Sequence, residues 1–266
     1  MSGTANDIRD LVNRFNGLVQ DLQDAINDVL DWVPWGLGWL ADKIRDLWNG
    51  LMGKIKEFFD PLVEILSNLG EPSTVSSKAD QWSSNVGSPV SARVALADVG
   101  SLAVDDNWKG SAADQYKQKA PLQKTALQNV KTQFTDGISS ALKDVSSAIQ
   151  VFFGLMIAAI GAWIAAIITA LGATATIFGI PAGILIAIAA AAGFGAAFWG
   201  AGENLKSQCR SAKTLLEQKM SENTAYPNGA WPEDVTASPP ARPHWGRRCS
   251  RPASARAASW RCGTEP

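Results

Sequence analysis

The residues of this chain that are capable of catalysis or metal binding are few, and they do not cluster in the sequence. The 266 residues include one histidine, His244, and three widely separated cysteines, Cys209, Cys249 and Cys262. A Ser/His/Asp or Cys/His catalytic site uses a histidine as its base, and this histidine lies in a segment rich in Pro and Arg. An odd number of distant cysteines defines neither a disulfide framework nor a metal site. The sequence therefore predicts no catalytic residue, no metal site and no cofactor.

The charge balance and the lack of phosphate-binding loops argue against two further classes of protein. The chain has 24 Lys and Arg residues against 25 Asp and Glu residues, a formal net charge of −1, and its body has no basic face. Proteins that bind nucleic acids carry basic patches, and many nucleotide-binding enzymes carry Gly-rich loops of the Walker type. Neither pattern occurs in the body of the chain. We therefore expect a non-enzymatic protein that does not bind nucleic acid.

A long uncharged segment is the feature that most restricts the fold. From residue 145 to residue 202 there are 58 positions without Asp, Glu, Lys or Arg. Two apolar spans inside it, roughly 149–171 and 178–199, each approach the ~20 residues that a helix needs to cross a bilayer. Both spans are rich in Ala and Gly, which permits close packing of two helices. Residues 149–199 are therefore predicted to form two transmembrane helices in the cell membrane. The alternative is a buried hairpin of a soluble domain.

Tryptophans and basic residues around this segment predict how it is placed in a membrane. Trp163 lies within the first span and Trp199 ends the second, and we assign both to the membrane interface, where tryptophan is enriched. Lys and Arg residues flank the segment on both sides, and basic flanks stay on the cytoplasmic side. Both long flanks are therefore predicted to be cytoplasmic. Secretion is the alternative location, by a route other than the general one, because residues 1–33 lack the pattern of a signal peptide.

Amphipathic helices are predicted on both sides of the apolar spans. Residues 7–33 place apolar side chains at steps of three and four, and a second stripe follows over 39–59. Asp60 and Pro61 predict an N-cap and a first-turn proline for a short third helix. These helices make residues 1–70 an amphipathic, Trp-rich region, and residues 203–222 form a further amphipathic helix.

A Trp-Xaa-Gly tripeptide, Trp108 to Gly110, lies between two further segments with helical periodicity. Turn-forming residues precede it, Gly110 can adopt backbone angles closed to other residues, and Ser111 is a good N-cap. Residues 72–150 are therefore predicted to form an antiparallel helical hairpin that reverses at this tripeptide. We expect Trp108 to be buried between the two arms, as a residue that packs at the turn.

This hairpin resembles the WXG proteins of type VII secretion systems, which are found in Gram-positive bacteria and especially in actinobacteria. The matching residues are Trp108 and Gly110, followed by Ala112, Ala113 and Tyr116. The resemblance implies membership of a secretion system, a helical protein partner or a homodimer, possession of the interaction motif Trp108, Gly110 and Tyr116, and no catalysis. The chain differs from typical members because it adds an N-terminal region and an apolar block to the hairpin.

The last 30 residues, 237–266, differ in composition from the rest of the chain. They contain six Arg and no Lys, two of the three cysteines and the one histidine, without apolar periodicity. This composition is typical of GC-rich DNA translated out of frame. The alternative is a disordered basic tail that binds anionic lipid.

These observations support three hypotheses about function. The first is a non-enzymatic, WXG-type membrane-associated protein that interacts with a type VII secretion system or its substrates. The second is a pore-forming or membrane-inserting toxin, whose apolar hairpin is concealed by amphipathic helices in the manner of colicin-type toxins. The third is the targeting module of a polymorphic toxin that lacks its toxic domain. Membrane lipid is a predicted partner under the first two.

Overall fold

The computed structural model describes residues 4–31, 36–101, 108–221, 224–226 and 229–232, and this part of the chain is almost entirely helical. The α-helices are α1 (Ala5–Leu30), α2 (Gly38–Asn68), α3 (Pro72–Trp82), α4 (Ser88–Leu96), α5 (Ser111–Asn129), α6 (Asp136–Ala173) and α7 (Gly179–Ser221). π-Helical turns at Ser83–Gly87 and Val130–Thr135 join α3 to α4 and α5 to α6, and a 3-10 turn lies at Val99–Ser101. No described residue lies in a β-strand, which confirms the predicted all-α class.

Helix α1 begins at a capping box and buries one face. The Thr4 hydroxyl accepts a hydrogen bond from the Asp7 backbone N–H at 3.2 Å, and the Asp7 carboxylate accepts one from the Thr4 N–H at 2.7 Å. These bonds satisfy donors that the first turn leaves without helical partners. Its buried apolar residues recur at helical spacing, and the larger ones are Ile8, Phe15, Val19, Leu22 and Ile26. The amphipathic helix predicted over 7–33 is thereby confirmed for the part of it that the structure describes.

Helix α2 corrects the predicted break at Asp60 and Pro61. It continues from Gly38 to Asn68 with Pro61 inside it, so the second and third helices predicted for this region are one. Proline removes one helical hydrogen bond. Buried residues on both sides of Pro61, among them Phe59 and Leu62, anchor α2 on the same core and keep the two halves in line.

Helix α3 packs antiparallel to α6, as predicted for the arms of the hairpin at 72–150. The Ser146 hydroxyl donates to the Pro72 carbonyl at 2.7 Å, and further along α3 the Lys143 ammonium lies 3.0 Å from the Asp80 carboxylate. The π-helical turn at Ser83–Gly87 precedes Pro89, which lies in the first turn of α4. The second arm continues without a break into the first apolar span, as one helical stretch from Ser111 to Ala173.

Helices α6 and α7 form an antiparallel pair with residues 174–178 as its turn, and we call its uncharged part, residues 145–202, the apolar hairpin. Near the turn the two helices approach so closely that a Cβ atom at Gly183 would lie 2.9 Å from the Ala170 carbonyl oxygen. Helix α7 extends to Ser221, so the amphipathic segment predicted at 203–222 is the end of this helix and not a separate one.

The described residues divide into two compact units. The first contains those of 1–93 and 127–224, and the second contains those of 94–126 and 225–232. Within the first unit, α1 packs on α6 and α2 packs on α7, and all four helices contribute to one hydrophobic core. The N-terminal region and the apolar spans therefore form one folded unit. The tail at 237–266, including His244, Cys249 and Cys262, lies outside the described residues.

Candidate functional site

An aromatic cluster joins the apolar hairpin to the N-terminal helices. At its centre is Trp163 of α6, which is fully buried. Its ring centroid lies 4.6 Å from that of Phe15 in α1, 5.5 Å from that of Phe59 in α2 and 5.2 Å from that of Phe194 in α7. One side chain therefore contacts rings from the three other helices of this core.

The structure corrects the interface position predicted for Trp163. Its indole N–H donates a hydrogen bond to the Ala187 carbonyl oxygen at 3.1 Å, so its polar group is satisfied inside the protein. A tryptophan at a membrane interface places this group in water, whereas here a neighbouring helix supplies the acceptor. The sequence signal for this placement was the amphipathic face of α1 and α2, which needs an apolar partner elsewhere in the chain.

Helix α2 fits against α7 because residue 195 is glycine. A Cβ atom at Gly195 would lie 2.5 Å from the tip of the Phe58 ring, well inside van der Waals contact. The Phe58 ring also lies 5.8 Å from the Phe194 ring and 6.5 Å from the Trp163 ring. Because Gly195 has no side chain, α7 has a slot at this position, and the Phe58 ring occupies it. Sequence reasoning did not single out Gly195, because many glycines occur in this segment.

The opposite side of the apolar hairpin is exposed and uncharged. Its larger exposed side chains are Val151, Leu155 and Ile168 on α6 and Leu185, Ile186 and Trp199 on α7, and we call this surface the outer face. Exposed Ala and Gly residues lie between them. Trp199 is 62% exposed and Phe178 in the turn is 69% exposed, and the assignment of Trp199 to a membrane interface stays a prediction.

Charged residues of the same unit lie on the exposed sides of α1 and α2. Three of them are adjacent in sequence to the rings that contact Trp163: Arg14 precedes Phe15, and Glu57 and Asp60 flank the Phe58–Phe59 pair. All three are exposed. The four-helix core is therefore charged on the side of α1 and α2 and uncharged on the outer face.

The Trp-Xaa-Gly reversal belongs to the second unit. Gly110 has a φ angle of +113°, which other residues rarely adopt, in agreement with the turn conformation predicted for it. Trp108 is 44% exposed, and its ring centroid lies 5.7 Å from that of Tyr116, which is half-buried. The structure thus brings the three motif residues together, but it corrects the expectation that Trp108 is buried between the arms. The preceding residues of the reversal, 102–107, lie outside the described part of the chain.

Two polar contacts also lie within the second unit. The Lys124 ammonium is 2.6 Å from the Asp98 carboxylate, and this charge-assisted hydrogen bond lowers the pKa of Asp98. The Tyr226 hydroxyl donates to the Ala126 carbonyl oxygen at 2.6 Å, and partial burial raises the pKa of Tyr226. These contacts join the turn after α4 to α5, and α5 to Tyr226.

No group of His, Cys, Asp and Glu residues in the described part of the chain is arranged to hold a metal ion. Two helical stretches, Ser111–Ala173 and Gly179–Ser221, are long and apolar enough to cross a membrane. Comparison with protein-family models, curated proteins and solved structures found no match to this chain.

Proposed function

We propose that this chain is a non-enzymatic, membrane-inserting protein. Its apolar hairpin is stored against α1 and α2, and it crosses a bilayer after these two helices have moved away. The observation that carries this proposal is the position of the charged residues beside the aromatic cluster.

Arg14, Glu57 and Asp60 lie next to rings that contact Trp163, which is near the middle of the first apolar span. If the hairpin crossed a bilayer with α1 and α2 still attached, these charges would lie near the centre of the membrane. Each would cost about 3 kcal/mol. The covered state and the spanning state therefore exclude each other.

The apolar hairpin itself meets no such cost, because residues 145–202 carry no charge on any side. In water, α1 and α2 cover one side of it and the outer face remains exposed. In a bilayer, both sides are removed from water, which favours the spanning state. Residues 69–71, which are not helical, join α2 to α3 and allow α1 and α2 to move without breaking a helix.

A reversible cross-link tests whether α2 must leave α7. Cysteines replace Phe58 and Gly195, which face each other across the slot, and serines replace Cys209, Cys249 and Cys262. A short cleavable thiol reagent then joins the two positions. We expect the cross-linked protein to be released from phosphatidylcholine vesicles by an alkaline wash, and the cleaved protein to resist it. Equal resistance before and after cleavage would contradict the proposal.

A pair of charge variants provides a matched control. Ile186→Asp places a carboxylate on the outer face and Val63→Asp places one on the exposed side of α2, and both residues are about half-exposed in the covered state. In the spanning state only residue 186 lies in the bilayer, where the carboxylate of Ile186→Asp costs about 3 kcal/mol. We expect Ile186→Asp to lose resistance to the alkaline wash and Val63→Asp to retain it. If both resist, the span is not where we place it.

The reversal at Gly110 favours a second function, the binding of a helical partner of the WXG type, for export or for assembly with a type VII secretion system. It is supported by the antiparallel arms, the positive φ angle of Gly110 and the half-exposed Trp108 beside Tyr116. A partially exposed ring is free to contact a partner. Under this proposal the chain is exported through such a system and inserts into a membrane elsewhere.

Pull-down of secretion-system components with the full chain tests this second function. We expect Trp108→Ala to abolish capture and Trp231→Ala to preserve it. The two tryptophans are matched, since Trp231 is 46% exposed and its ring lies 5.8 Å from that of Tyr226. Because Trp108 is only half-buried, its loss should lower the free energy of unfolding by about 1–2 kcal/mol. Capture by a folded Trp108→Ala variant at the wild-type level would remove the interaction role.

A further inference from the structure

The outer face has the properties of a surface that lies on a lipid bilayer before the hairpin inserts. It extends along both helices of the apolar hairpin, from Val151 to Ile168 on α6 and from Leu185 to Trp199 on α7. No charged residue lies in this part of the chain. It also remains exposed while α1 and α2 are in place, so the folded protein presents it to its surroundings.

The charge distribution orients the folded unit. Helix α1 has five Asp residues against two Arg residues, all of them exposed on the side that does not contact the hairpin. Interfacial proteins bury their apolar side in the boundary between headgroups and acyl chains and keep their polar side in water. When the outer face lies on a bilayer, the acidic side of α1 points away from the lipid, so anionic headgroups do not repel it.

The composition of the outer face distinguishes a bilayer from a second copy of the chain. Protein interfaces have a polar rim with hydrogen bonds, and large aromatic anchors near their centres. Here the two most exposed aromatic side chains of the apolar hairpin, Phe178 and Trp199, lie at opposite ends of the second apolar span, 178–199, about 30 Å apart along the helix axis. Between them the surface consists of aliphatic residues, Ala and Gly. Aromatic residues at both ends of an uncharged aliphatic stretch are typical of helices that face lipid, because tryptophan is enriched at the two membrane interfaces.

The geometry points to the outer face as a membrane-docking surface of the covered protein, with the acyl-chain boundary of a bilayer as its partner. This inference rests on the proposed insertion and adds the step that precedes it. Docking needs no movement of α1 and α2, whereas insertion needs their removal. The two steps can therefore be separated with the cross-link between positions 58 and 195.

Flotation of the cross-linked protein with phosphatidylcholine vesicles tests docking in the absence of insertion. We expect the cross-linked chain to float with the vesicles and to be removed from them by an alkaline wash. In the same cross-linked background, Leu185→Glu should weaken vesicle binding ~10-fold, because it places a charge in the buried boundary. Val63→Glu should bind like the parent. Leu185 and Val63 are 50% and 53% exposed, so neither substitution removes a core residue.

The possible results separate docking from insertion. If the cross-linked protein fails to float while the cleaved protein inserts, docking by the covered form is wrong and the proposed function stands. If it floats but Leu185→Glu floats equally well, another surface binds the lipid, and the inference is overturned. A cross-linked dimer that Leu185→Glu converts to a monomer, without vesicle binding by either, would assign the outer face to a second copy of the chain. Circular dichroism of each variant confirms that it remains helical.

Discussion

At the scale of single residues, Gly195 determines how closely α2 approaches the apolar hairpin. An added methyl group at this position would lie 2.5 Å from the tip of the Phe58 ring and 2.8 Å from a second ring atom. The ring cannot move freely, because it also lies against Phe194 and Trp163. Closely packed aromatic rings accommodate added volume poorly, so the cost falls on the contact between the two helices.

We therefore expect Gly195→Ala to lower the free energy of unfolding of the covered state by about 1–3 kcal/mol. Gly193→Ala is the matched control, since a Cβ atom at Gly193 would meet nothing within 4 Å. It should raise stability by about 0.5–1 kcal/mol, because alanine favours the helix over glycine. Urea unfolding followed by circular dichroism measures both values. Equal effects of the two substitutions would show that Phe58 does not occupy the slot in solution.

Gly110 is the second residue whose lack of a side chain matters, for the different reason of backbone conformation. At its φ angle of +113° a Cβ atom is strained, although no neighbouring atom lies within 4 Å of its position. Gly110→Val should therefore cost about 1–3 kcal/mol, whereas valine at the helical Gly50, which is equally open, should cost less. Thermal unfolding compares the two. A smaller loss at residue 110 than at residue 50 would contradict a strained reversal.

At the scale of elements, the pair of Asp98 and Lys124 connects the turn after α4 with α5. Lys124 holds the pKa of Asp98 below its ordinary value of 3.8. A carboxylate whose pKa is lower in the folded state contributes stability that is present above 3.8. This contribution disappears as the pH falls through the folded-state pKa. The pair is therefore intact at neutral pH and is lost only in acid.

Lys124→Met should raise the pKa of Asp98 toward its ordinary value. Titration of the Asp98 carboxyl carbon by nuclear magnetic resonance measures the change. Lys78→Met is the control, because Lys78 bonds to Gln81 in a different element and should leave the titration unchanged. An Asp98 titration that does not respond to Lys124→Met would show that the two side chains are apart in solution.

At the scale of the whole molecule, the uncharged segment determines the topology expected after insertion. The turn at 174–178 has no charge and crosses a bilayer readily, whereas Lys206, Arg210 and Lys213 follow the second span. Basic flanks remain on the side from which insertion occurs. For a chain that inserts from the cytoplasm, both long flanks are expected to stay cytoplasmic and the turn to be external.

A cysteine at Ala175 tests this topology. Ala175 is exposed in the turn and outside both helices, so the substitution changes no core contact. In intact cells we expect Ala175→Cys, in a background without other cysteines, to react with a thiol reagent that cannot cross membranes. In a chain whose other cysteines have been replaced, the native Cys209 on α7 should be protected from the same reagent. Labelling of Cys209 with protection of residue 175 would indicate the opposite orientation.

The sequence by itself determined the helical class, the uncharged segment and the reversal at Gly110. These features are local: apolar residues recur with the period of a helix, 58 positions lack charge, and a glycine follows turn-forming residues. Such patterns are visible in the sequence because they arise from residues that are close together along the chain. The predicted antiparallel arms at 72–150 follow from the same local signals, because two long helices that flank a tight turn must run in opposite directions.

Only the tertiary structure shows which helices pack against each other and which side chains they bury. An amphipathic helix needs an apolar partner, but its sequence does not name that partner, and α1 finds α6 more than one hundred residues away. A tryptophan in an apolar segment, such as Trp163, is compatible with a membrane interface and with a protein core. The Ala187 carbonyl and the ring of Phe15 place it in the core. Conversely, Trp108 remains partly exposed, because the arms of the hairpin do not bury its ring. Burial depends on contacts between distant segments, which local periodicity does not encode.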